Sequence, residues 1–152
     1  MRKYWVLQLT VLLLLTAASL GAQSNEALDA LLEQRTATLA DAAYLVLAAS
    51  GRIDGDSTAE QAASALDGQG WEIPERSADD PVTLGEYAYL LMQALEIKGG
   101  LMYRLLPGPR YAGRELAFLE IIKGDASPYR TFSGEEAIGI LGRLLAWKEE
   151  QS

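Results

Sequence analysis

Thr83-Leu84-Gly85-Glu86-Tyr87-Ala88-Tyr89-Leu90-Leu91 contains both the start of a helix and the face that helix buries. Thr83 stands three residues before Glu86. At that spacing a hydroxyl accepts from the amide three positions on, while the acid reaches back to the amide of the hydroxyl residue. Leu84, Tyr87, Ala88, Leu91 and Leu95 then recur at i, i+3, i+4, i+7 and i+11, one apolar stripe of helical period. The same opening occurs at Thr38-Leu39-Ala40-Asp41 and at Ser133-Gly134-Glu135-Glu136. The apolar register continues beyond it, Ala42-Ala43-Tyr44-Leu45 lying beside Tyr87-Ala88-Tyr89-Leu90. The separations are 45 residues from Thr38 to Thr83 and 50 from Thr83 to Ser133. An offset of 50 also pairs Ala62 with Ala112, Leu66 with Leu116 and Trp71 with Ile121. A self-similarity of this length marks stacked helical units.

The remaining segments fit the same scheme. Asn25 to Arg35 carries Leu28, Leu31 and Leu32 on one face. Ala42 to Ala49 is apolar without a break, which predicts a helix buried on all sides and ended by Gly51. Thr58 to Leu66 reads as a short Ala-rich helix, capped at Asp56 or Ser57. Tyr111, Phe118 and Ile122 run beside Ala112, Leu116 and Leu119, and Ile138, Leu141, Leu144 and Leu145 complete the set. Trp71, Tyr87, Tyr89, Tyr103, Phe118, Phe132 and Trp147 are assigned to core and inter-repeat packing, Trp71 as a wedge between units. No segment alternates with period two. The expectation is an all-α, compact bundle of about six helices built from helix-turn-helix repeats, one domain over residues 23–152.

Residues 1–22 read as a secretory signal peptide. Arg2 and Lys3 precede an apolar run from Trp5 to Leu15, and Ala17-Ala18-Ser19-Leu20-Gly21-Ala22 supplies the small residues of a cleavage site after Gly21 or Ala22. The alternative is a retained anchor, but the run is shorter than the ~20 apolar residues that span a bilayer. With no cysteine in the chain, lipidation of a cysteine is excluded. Removing residues 1–22 takes away two basic residues and no acid, leaving 11 Lys and Arg against 21 Asp and Glu, a net charge of −10. That balance is expected to repel nucleic acid and anionic lipid head groups.

Histidine and cysteine are both absent. Their absence removes the common general base near neutral pH, every Ser-His-Asp or Cys-His arrangement, and nearly all zinc sites. Asp54-Gly55-Asp56-Ser57-Thr58-Ala59-Glu60 falls short of a calcium loop, lacking an acid or amide at Thr58 and glycine at Ala59. Glu75, Asp79 and Asp80, and the pair Glu135 and Glu136, read as a solvated loop and as favourable charge at a helix start rather than as paired catalytic acids. The chain is expected to be no enzyme, without cofactor or metal.

The last unit resembles the S-layer homology domain. Glu120-Ile121-Ile122-Lys123-Gly124-Asp125 is similar to that family's Gly-Ile-Ile-x-Gly turn, and Pro128, Phe132, Ser133 and Glu136 stand at the spacing of its Pro, Ile, Thr and Glu. The middle unit resembles it through Trp71, Val82, Thr83 and Glu86, and the first through its second helix, so the likeness covers residues 36–150. The resemblance implies a fold of helical repeats and a cell-envelope setting. The family's motif arginine, which holds anionic cell-wall polysaccharide, is replaced here by Leu39, Leu84 and Gly134, and the loop from Gly124 to Pro128 is shorter. The glycan site as the family builds it therefore does not carry over.

The candidate site is Met102 to Glu115, where Tyr103, Arg104, Arg110, Tyr111 and Arg114 surround Pro107-Gly108-Pro109. Arginine forks match carboxylate, phosphate or sulfate, and tyrosine faces stack on sugars. The competing reading pairs these arginines with the chain's own acids and places the tyrosines in the core. The expected function is a non-catalytic module, periplasmic or at the cell surface, that binds another envelope component, foremost a protein. The alternative is a cell-wall glycan held by residues 103–114. After signal removal no integral membrane segment is expected. N-terminal sequencing of the exported protein should return a first residue between 20 and 24, and recovery of Met1 would overturn the export reading.

Overall fold

The computed structural model describes residues 26–152, so the signal-peptide reading of residues 1–22 lies outside the described residues. The helices are α1 (26–33), α2 (Leu39–Ala49), α3 (Ala59–Asp67), α4 (Leu84–Ala94), α5 (Leu101–Leu105), α6 (Pro109–Phe118) and α7 (Gly134–Glu150). Among the described residues there is no strand, only one isolated antiparallel bridge between Thr38 and Pro81. The all-α bundle is as expected, with the short α5 as an additional element.

The three repeated openings are helix starts, and all three meet in the interior. Thr38, Thr83 and Ser133 are the N-caps of α2, α4 and α7. Each hydroxyl accepts from the amide of the acid three positions on, and the reciprocal bond back from the acid forms at Asp41 and Glu86. The next two amides of α2 and α4, and the next one of α7, find acceptors in a neighbouring unit. Leu39 and Ala40 donate to the carbonyls of Asp80 and Ala78, Leu84 and Gly85 to those of Arg130 and Pro128, and Gly134 to Gln34. Val82 donates to Ala37, and Ala37 to Phe132, which closes a ring of three units. Every amide of the first turns of α2 and α4, otherwise an orphan donor, is thereby satisfied.

This ring leaves little space around the helix starts. A methyl group on Gly134 would stand 1.8 Å from the Leu31 carbonyl oxygen, and one on Gly85 would stand 2.9 Å from Pro109 O and Pro128 O. Leu84 is fully buried and Leu39 nearly so. Leu39, Leu84 and Gly134 are thus core positions in this chain.

Around the ring, α4 packs on α6, α2 packs on α3 and α4, and α7 lies against α2. Residues 39–47 of α2 are all buried, as their unbroken apolar run predicts. Tyr87 joins the units: its ring stacks on Phe132 at 5.2 Å, and its hydroxyl donates to Ala137 O at 2.9 Å. Complete burial pushes its phenol far above the usual tyrosine range. The inward stripe of α7 is Ala137, Ile140 and Leu144, with Ile138, Leu141 and Leu145 half-buried. Two α7 cations meet backbone carbonyls just past the ends of α4 and α6, Lys148 Nζ donating to Leu95 O and Arg143 Nε to Ile121 O, each at 2.7 Å.

Two sequence expectations need correction. The cap of α3 is Thr58, not Asp56 or Ser57, and it forms a full capping box with Gln61. Leu32 is half-exposed, so α1 faces inward through Leu28 and Leu31 only.

Gly51 ends α2 as expected, in a left-handed conformation at φ +67°. The Arg52 amide donates to Leu47 O and the Gly51 amide to Ala48 O, a Schellman closure. The same closures end α4 and α6, but there the left-handed residue is Glu96 or Glu120, at φ +57° and +59°. A side chain in that region is sterically penalised, which glycine avoids. Replacing Glu120 with glycine should therefore raise stability by about 1 kcal/mol. Thr83→Ala should lower it by ~0.5–2 kcal/mol through loss of the cap. Urea unfolding of the two variants checks both signs.

Candidate functional site

The stretch singled out in the sequence forms a helical hairpin on α4. Gly99, at φ +60°, admits the turn into α5, where a methyl group would stand 2.7 Å from the Tyr103 ring and 2.9 Å from Met92 Cε. Tyr103 points inward, and its hydroxyl accepts from Gln93 Nε2 at 3.0 Å. Burial raises its phenol pKa, partly offset by the Gln93 hydrogen bond. Pro109 occupies the first position of α6, where the missing amide costs nothing. The hairpin is antiparallel: a methyl group on Gly100, before α5, would lie 3.0 Å from Glu115 Oε2, late in α6.

Tyr103 is thus a correction to the candidate set. It anchors α5 to α4 and offers no ring face for stacking. Tyr111 is half-buried against the core, with only part of its surface outward. Arg104, Arg110 and Arg114 are exposed, the last two one turn apart on α6. Among the described residues no carboxylate oxygen lies within 4.0 Å of any of the three.

The loop arginines behave differently. Arg76 pairs with Glu86, the capping acid of α4, and also donates to Pro81 O at 3.0 Å. Arg130 forms a fork on Glu136, the corresponding acid of α7, and Glu136 holds the guanidinium pKa above its usual value. These two arginines neutralise buried or half-buried acids of the ring, whereas those of the hairpin face solvent.

Sequence reasoning missed the apolar part of the same surface. Leu101, Met102, Leu105 and Leu106 are 70%, 56%, 65% and 57% exposed, and Phe118, assigned to the core, is 82% exposed. The signal was present in the helical period. The buried stripe of α6 runs through Ala112 and Leu116, and Phe118 falls outside it. For α5, only five residues long and flanked by Gly-Gly and Pro-Gly-Pro, no period can be read.

One cleft lies away from the hairpin and a second at its foot. The first, of about 530 Å³, is lined by Leu39, Leu66, Trp71, Ile73, Pro74 and Arg76. Its Trp71 is half-buried, with the Arg52 guanidinium 5.5 Å from the ring centroid, and Arg76 is committed to Glu86. The other, of about 620 Å³, lies between the 96–100 turn, Glu115, Leu119 and the end of α7 at Trp147 and Lys148. Among the described residues no group of three or more acids is placed to hold a metal ion, and no helix is long and apolar enough to cross a membrane. Compared with family models, curated proteins and solved structures, the chain finds no match in any of the three.

The division between anchor and surface is measurable. Tyr103→Ala should cost ~3–5 kcal/mol of unfolding free energy, as for a buried aromatic. Arg110→Ala should stay within ~0.5 kcal/mol of the parent. Chemical denaturation of the two variants separates them.

Proposed function

We propose that this chain is a non-catalytic, exported module of the cell envelope that binds another envelope component through the α5–α6 hairpin. The observation that carries this reading is the joint exposure of four large apolar side chains on and after α5 with three arginines that have no carboxylate oxygen within 4.0 Å among the described residues. Large apolar residues grouped on a surface cost solubility and mark contact sites. Guanidinium groups held beside them supply orientation and selectivity for an anionic partner. The hairpin is fixed beneath by Tyr103 and at its turn by two prolines, so little freedom is lost on binding.

The export reading rests on residues 1–22, and the absence of histidine and cysteine supports the non-catalytic one. The glycan alternative has less support, because Tyr103 is enclosed and Tyr111 only half-exposed. An isolated envelope fraction should retain the chain. Arg110→Glu should weaken that retention and flatten its salt dependence, with an unchanged melting curve. If Arg110→Glu instead lowers the melting temperature and leaves retention intact, the guanidinium belongs to the fold and this reading fails.

A further inference from the structure

From Lys98 to Arg114 the chain carries Lys98, Arg104, Arg110 and Arg114 and not one acid, although acids outnumber bases over the whole sequence by 21 to 13. Leu101, Met102, Leu105 and Leu106 are interleaved with these cations, each more than half exposed. Side chains so exposed stand out from the surface, and none of them lines either cleft described above. A partner helix is normally received in a groove. A projecting apolar tip among cations, with the flanking acids Glu96 and Glu115 at the foot of the hairpin, instead suits a surface that is apolar within and anionic at its face.

We infer, building on the reading of this hairpin as the contact face, that it seats on an anionic phospholipid surface. The four apolar side chains enter the boundary between headgroups and acyl chains, while the arginines and Lys98 meet lipid phosphate. The two contributions are needed together. Apolar burial alone gives weak, reversible attachment, and adjacent cations add to it where the lipid is negatively charged. The chain's negative charge lies outside this segment, and at physiological salt charges more than ~8 Å apart are largely screened. The interaction would thus follow the local sign rather than the net one.

The chain has no native cysteine, so a single introduced thiol labels one position. Full-length Met102→Cys, carrying a polarity-sensitive dye, is mixed with vesicles of phosphatidylcholine alone or of phosphatidylcholine with phosphatidylglycerol. Ser64→Cys, on the exposed side of α3, carries the same dye as a control for attachment through other parts of the chain. The expected result is a blue shift at position 102 on the phosphatidylglycerol vesicles and none at position 64. Adding Arg110→Ala or Arg104→Ala should weaken the titration about fivefold per cation removed. An unshifted dye at position 102 on anionic vesicles overturns the inference, as does an equal shift on phosphatidylcholine alone. A shift at position 102 with purified envelope protein but not with vesicles also overturns it, while leaving the hairpin as a binding face. Silence of position 102 towards lipid, protein and glycan alike removes the underlying reading as well.

Discussion

Three helices of this protein begin in its interior, and an α-helix that begins there needs acceptors for several amides at once. The solution is a division of labour. The N-cap hydroxyl takes the third amide, the capping acid takes the amide of the hydroxyl residue, and the loop of the next unit takes the two between. Because each loop serves its neighbour, the arrangement fixes the order of the units and the distance between them. It also explains residues that look unremarkable in isolation, such as Gly85 and Gly134, where a Cβ would strike the neighbouring loop or α1. The third corner is less complete: among the described residues Glu136 makes no bond back to Ser133 and is held by Arg130.

That scheme also sorts the charges. Asp41 and Glu86 are the two buried acids among the described residues, and both are capping residues. Arg76 and Arg130 come from the loops to meet Glu86 and Glu136, so these arginines serve the fold. Lys148 and Arg143 reach backbone carbonyls at helix ends. The arginines of the α5–α6 hairpin have no such internal employment, which sets this surface apart from the rest.

Much of this could be read from the sequence because the ring is built from local signals. A hydroxyl three residues before an acid, followed by an apolar stripe, specifies a cap and a face whatever surrounds it, and the three openings at Thr38, Thr83 and Ser133 are all helix starts. Which carbonyls receive the next amides depends on how distant loops meet, and no local pattern states it. The same holds at the site. The cations could be counted, but exposure depends on what α5 packs against. Five residues between Gly-Gly and Pro-Gly-Pro do not define a face, so Tyr103 and its leucine neighbours looked alike. Phe118 misled because aromatic residues in a helix are usually buried, while its own period pointed outward.

Closure of the ring has a consequence for how the chain acquires its structure. Ala37 needs the carbonyl of Phe132, Gly134 needs that of Gln34, and Tyr87 needs that of Ala137. Linear repeat arrays add one unit at a time and can propagate from any point. Here the Ala37 amide has no acceptor until the Phe132 carbonyl arrives, so the backbone pairing of the first unit is completed by the last. A break anywhere along the chain would therefore be felt at both of its ends.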